Sequence, residues 1–134
     1  MRALLPLLAL LPAACVTPWR PPMADAVALS EITPEGHLVL EDGRRVRLFG
    51  VDIIDSGDLR HGFVAVRYVV LPGEVPAVEA QFQSAGIRCC GNDPGLPMAE
   101  HLLWEGAALL NEIDLADRHA PREIVERLRA VAGR

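Results

Sequence analysis

A chain of 134 residues supports one domain built around one core. Hydrophobic residues make up 51% of it but aromatics only 4%, so that core is aliphatic, and eleven Gly with eleven Pro imply many turns. The net charge of −5 has the wrong sign for gripping nucleic acid by overall phosphate neutralisation, and leaves room only for a local basic pocket.

The chain opens on Met1-Arg2, an apolar run from Ala3 to Leu11, and Pro12-Ala13-Ala14-Cys15. A short positive start, an apolar stretch of about 7–15 residues and small residues before a cut describe a secretory signal. The run is too short to span a bilayer. Cys15 after Ala13-Ala14 has the form of a bacterial lipoprotein site, with residues 1–15 as signal and the cysteine as the lipidated first residue. Pro12 stands where such sites usually carry Leu. Two alternatives stay open: export with cleavage after Ala24-Asp25-Ala26, and translation from Met23. Removal of the signal takes Arg2 with it and leaves the chain still more acidic. Residues 16–26 contain Thr17-Pro18-Trp19-Arg20-Pro21-Pro22 and form a stiff linker, which would hold a domain over 27–134 away from a membrane.

Residues 27–32 predict a first strand, and Thr33-Pro34-Glu35-Gly36 a turn. Two further strands, 37–41 and 44–51, flank Asp42-Gly43. That pair suits a two-residue type I′ turn, in which both central residues take positive φ. Such a turn pairs Glu41 with Arg44, Leu40 with Arg45, Val39 with Val46 and Leu38 with Arg47. It collects Val39, Val46 and Leu48 on one face. Gly50 is the natural place for a bend or bulge before Val51-Asp52. In a straight strand Arg47 and Asp52 would point to opposite faces.

Ser56-Gly57-Asp58 breaks the chain. Residues 63–71 are apolar and β-branched, and read as a strand ended by Pro72-Gly73. Residues 75–85 fit two periods: Val75, Val78, Phe82 and Ala85 a helix face, and Val78, Ala80 and Phe82 a strand. The strand is preferred, as a hairpin partner of 63–71. Residues 87–90 predict a short extended segment and 91–95 a loop. A helix is predicted over 97–109, with Pro97 in its first turn and Met98, Leu102 and Leu109 on one stripe. Gly106 would weaken that helix or let it pack closely. A second helix, 121–131, starts at Pro121, buries Ile124, Val125, Leu128 and Val131, and ends before Gly133. Arg122, Arg127 and Arg129 form its wet face.

Val46-Arg47-Leu48-Phe49-Gly50-Val51-Asp52 resembles the segment R-L-x-G-[IV]-D-[AT]-P-E of the staphylococcal nuclease-like (thermonuclease) family. Leu102-Leu103-Trp104-Glu105-Gly106-Ala107-Ala108-Leu109 resembles that family's L-V-x-x-G-x-A helix. The resemblance runs loosely from Val27 to Leu110, and its middle third is poor. It implies an α+β, mainly β fold, with a five-stranded OB-type barrel and two C-terminal helices. It also implies hydrolysis of phosphodiesters with one Ca²⁺ and with arginines on the phosphate. Arg47 matches the family's first phosphate-binding arginine, and Asp52 its metal-binding aspartate. Asp55 stands where the family carries its catalytic Glu. His37 stands in place of a second metal-binding Asp.

The departures from that pattern bear on chemistry. Ile53 replaces a Thr that helps hold the metal, Ile54 replaces a Pro, and Asp55 is one methylene shorter than Glu. A reacting group misplaced by an ångström can cost about 10²-fold. Imidazole at His37 suits Zn²⁺ and other transition metals better than Ca²⁺. The family's second essential arginine has no counterpart, since Arg67 and Arg88 sit outside its motif; one such donor is worth ~3–4 kcal/mol in the transition state. Cys89-Cys90 reads as a strained vicinal disulfide or as two small buried residues. His61, His101 and His119 show no metal-ligand spacing. The expectation is an exported barrel, anchored to a membrane through Cys15, that has lost catalysis and binds a partner protein or a phosphate-bearing ligand in the cell envelope. The alternative is a metal-dependent phosphodiesterase that cleaves nucleic acid with Arg47, Asp52 and Asp55.

Overall fold

Aliphatic side chains at alternate positions from Val27 to Leu48 curl the first half of the chain into a meander of three antiparallel strands. In a computed structural model, which describes residues 19, 21–55, 62–69, 71, 73–84 and 95–133, these are β1 (Val27–Ile32), β2 (His37–Leu40) and β3 (Arg45–Leu48). A short β4 (Val51–Ile53) follows. β5 (Gly62–Val69) and β6 (Ala77–Ser84) form the long hairpin expected for 63–71 and 75–85. β5 pairs with β1, and β6 pairs in parallel with β3. The ring therefore closes in the order β1-β2-β3-β6-β5, a five-stranded barrel of OB type. β7 (Leu96–Pro97) extends the sheet beside β6, and β8 (Ala108–Leu110) pairs with β4 outside the ring.

The strand period wins over the helical one at 77–84 because both faces of β6 are covered. Val78, Ala80 and Phe82 are buried, and so are Ala77, Gln81 and Gln83. Closure also leaves β5 and β6 with no free edge along the ring, since β1 pairs with β5 and β3 with β6.

The hairpin around Asp42-Gly43 differs from the expected one by a single residue. His37 faces Arg47, Leu38 faces Val46 and Val39 faces Arg45. The loop holds three residues: Leu40 N–H bonds Arg44 O at 2.9 Å, and Gly43 N–H returns to Leu40 O at 3.0 Å. Gly43 has φ +93°, and among the described residues, Asp42 included, no non-glycine residue has positive φ, so the two-residue type I′ turn, which needs positive φ at Asp42 as well, is ruled out. The physical reason lies in the flanks. The observed register puts Leu38, Leu40, Val46 and Leu48 together inside, each at most 1% exposed, with His37, Val39, Arg45 and Arg47 outside. The type I′ register would have set Leu38 opposite Arg47 and Leu40 opposite Arg45 on one face.

Three helices close the structure. α1 (Met98–Trp104) buries Met98 and Leu102, and stops well short of residue 109. Gly106 has φ +76°. Its N–H bonds Leu103 O at 3.1 Å, and Ala107 N–H bonds Leu102 O at 2.8 Å. This pair is a Schellman motif, so Gly106 ends the helix rather than weakening it, and frees Ala108–Leu110 to become β8. α2 (Glu112–Ala116) was not expected. α3 (Arg122–Ala132) matches the second predicted helix in extent and buries Ile124 and Leu128, with Val125 and Val131 only partly covered; Arg127, expected on the wet face, turns instead toward Glu79 and pairs with it at 2.8 Å. Cys15, Cys89, Cys90, His61, Arg88 and the segment 87–90 lie outside the described residues. Among those described, no helix is long and apolar enough to cross a membrane.

Candidate functional site

The outer face of β2 and β3 sets His37 directly beside Arg47. Three residues after Arg47 the chain must leave the barrel wall. Gly50 makes that turn with φ +83°, and its backbone packs so closely that an added Cβ would lie 2.5 Å from Leu128 Cδ1. The bend expected at Gly50 is thus present. It hands the chain to β4, where Asp52 stands opposite Leu109 of β8.

Asn111 then caps α2. Its Oδ1 accepts the Asp114 N–H at 3.1 Å, and its Nδ2 donates to Asp52 Oδ1 at 3.1 Å. The cap aims Asp114 inward, where it is 5% exposed. Arg47 Nη1 and Nη2 donate to Asp114 Oδ2 and Oδ1 at 2.6 and 3.0 Å, and Gly50 N–H donates to Oδ2 at 2.9 Å. This is a fork-to-fork pairing of guanidinium and carboxylate, the strongest geometry available to Arg47. A carboxylate on α2 therefore holds the fork that the nuclease resemblance offers to phosphate.

These groups line one cleft of about 260 Å³, together with Glu35, Gly36, His37, Val51, Asp52, Ile53, Asn111 and Ile113. At its mouth Arg45 Nε donates to His37 Nδ1 at 3.1 Å, which leaves the neutral ring its proton on Nε2. Arg45 also lies 3.5 Å from the Glu35 carboxylate. The Thr33 hydroxyl, then the backbone, then the nearby Arg45 guanidinium hold Glu35 below the ordinary range of a glutamate. With Arg47 balanced by Asp114 and Glu35 facing Arg45, Asp52 is the cleft's uncompensated charge among the described residues. Ile113 stands at the rim, 85% exposed.

Arg47, Asp52 and His37 thus share one cleft. Asp55 does not line it: it sits beyond β4, with its N–H on Ala107 O at 3.1 Å. Arg67 is remote from it as well, on β5, ion-paired to Glu79 and over the Trp19 ring at 5.1 Å. Among the described residues no three His, Cys, Asp or Glu side chains converge to hold a metal. Ca²⁺ takes about six to eight oxygens, whereas here one Asp52 oxygen is held by Asn111 and both Asp114 oxygens by Arg47. The donors present do not fit that ion.

Sequence reasoning missed Asp114 and Asn111. The signal was present: Asn111-Glu112-Ile113-Asp114 is a capping residue followed by an acidic first turn. Nothing local shows that this turn docks against a strand 67 positions earlier. No protein-family model matches the chain, and no curated protein matches it.

Proposed function

We propose that this chain is an exported, lipid-anchored OB-type barrel that binds rather than cleaves, with the cleft between β2, β3, β4 and α2 as its binding surface. The observation that carries this reading is the Arg47–Asp114 pair. A guanidinium serves phosphoryl chemistry by offering free donors to developing negative charge. Here the fork is already filled by a carboxylate that is itself buried, and phosphate would have to displace it. The remaining charge, on Asp52, suits a ligand that brings hydrogen-bond donors or a positive group, and the exposed Ile113 suits an apolar portion beside it. Export and anchoring rest on the Ala13-Ala14-Cys15 sequence.

The second reading is a metal-dependent phosphodiesterase, favoured by the meeting of Arg47, Asp52 and His37 in one cleft. One experiment separates them. The purified domain is incubated with single-stranded DNA and Ca²⁺, Mn²⁺ or Zn²⁺, alongside Arg47→Ala and Asp52→Ala proteins of verified fold. The binding reading expects no cleavage under any of these conditions. Cleavage by the parent that disappears in both variants overturns it in favour of the enzyme.

A further inference from the structure

We propose that the barrel turns the outer side of β5 toward a phospholipid surface, so that the cleft opens on the side facing away from the membrane. The proposal rests on the anchor at Cys15 and adds an orientation to it.

The linker is not a free spacer at its domain end. Trp19 lies against the Arg67 guanidinium at 5.1 Å from ring centroid to Cζ. With Pro21, Pro22 and Asp25 it walls a hollow of about 250 Å³ completed by Val27 of β1, residues 64–66 of β5 and Arg44 of the hairpin. Trp19 is thus held on β5. Cys15 precedes it by four residues, which reach at most about 14 Å fully extended. A lipid on Cys15 therefore brings the Trp19 patch to within that distance of the headgroups.

The patch has the composition of a membrane interface. Trp19 supplies the ring of this patch, while Tyr68, half exposed on the opposite face of β5 from Arg67, accepts from Arg44 Nη1 at 3.3 Å at the hairpin end of the hollow. Trp and Tyr favour the headgroup level, where an apolar ring meets a wet polar edge. Arg44 and Arg67 already pair with Asp42 and Glu79, and the chain is acidic overall. The contact is therefore interfacial rather than a response to anionic lipid, and a zwitterionic bilayer suffices. Ring order supplies the rest. β5 borders β1 and β6, so β2 and β3 are the strands across the barrel from it, and His37 and Arg47 are on their outer face.

The test uses the full acylated chain in phosphatidylcholine nanodiscs carrying a nitroxide on a fraction of headgroups, read by amide NMR. Selective broadening around Trp19, Ala65 and Arg67 is expected, with Gly36, Asp52 and Ile113 sharp. Trp19→Ala should even out the pattern while the chain stays on the disc, and Trp19→Phe should keep it. Uniform broadening in the parent, or broadening centred on Gly36, Asp52 and Ile113, overturns the orientation alone. A Cys15→Ser chain that remains on the discs like the parent removes the anchor, and the orientation with it.

Discussion

Replacing Asp114 tests the pairing on which the reading of the cleft depends. Asp114→Ala strips both acceptors from the Arg47 fork and the acceptor from Gly50 N–H at once. Severing a buried ion pair by removing one partner costs about 3–5 kcal/mol. An orphaned buried N–H adds about 1–3 kcal/mol. Arg47 keeps 23% of its side chain exposed, so water recovers part of this. The expected loss is about 4 kcal/mol, a large share of a stability of about 5–15 kcal/mol for a small domain. Asp114→Asn keeps one carbonyl oxygen and should fall between that variant and the parent. The decisive quantity is the coupling in a cycle with Arg47→Ala, measured by urea denaturation followed by circular dichroism. In the double variant the uncompensated guanidinium is gone and only Gly50 N–H stays unsatisfied. The combined loss should therefore undercut the sum of the single losses by about 2 kcal/mol. Losses that simply add would mean the pair does not act as a unit, and the argument from Arg47's occupied fork would fail.

Three further outcomes follow from the packing. Gly50→Ala should cost about 2–4 kcal/mol, because φ of +83° is strained for a side chain and its Cβ would meet Leu128 Cδ1 at 2.5 Å; a melting temperature unchanged from the parent would contradict the tight crossing. Gly106→Ala should cost about 1 kcal/mol and Gly106→Asn less, since φ is +76° but nothing lies within 4 Å; equal denaturation midpoints for Ala, Asn and Gly would remove the Schellman cap. Burial raises the Glu100 carboxyl above its ordinary 4.5, and Glu79 adds to this while Arg127 opposes it. The folded state thus holds that proton to higher pH than the unfolded chain, so the group's contribution is full below 4.5 and declines as pH rises through the raised value. Glu100→Gln should flatten that decline in denaturation midpoints measured from pH 4 upward, and a decline as steep as the parent's would refute it.

The barrel was largely legible, and the reason is local. Strand 27–32 and the 62–69 and 77–84 hairpin are written in β-branched and alternating residues. The errors fall where two local rules conflict. Asp42-Gly43 invites a two-residue turn, but four aliphatic side chains at positions 38, 40, 46 and 48 gain more by meeting inside than the turn gains by its type, and the loop takes a third residue. Gly106 admits both a weak helix interior and a helix stop, and the adjoining β4–β8 pairing selects the stop. At the site, Arg47, Asp52 and His37 were readable because strand spacing and a glycine bend bring them together within sixteen residues of chain. Asp114 was not readable, because its role depends on where a five-residue helix lands.

The residues alone determined the five strands of the barrel, that the core is aliphatic, and that one arginine and one aspartate share a bend near Gly50. Each of these follows from side-chain period and backbone freedom over a few neighbours. The barrel's closure, the hairpin's register and the charge state of the cleft were decided by contacts between distant segments. Whether Arg47 offers its fork to a ligand depends on a carboxylate 67 positions away, brought in by the docking of α2 and fixed by Gly50 N–H. Only the folded chain brings those two groups together.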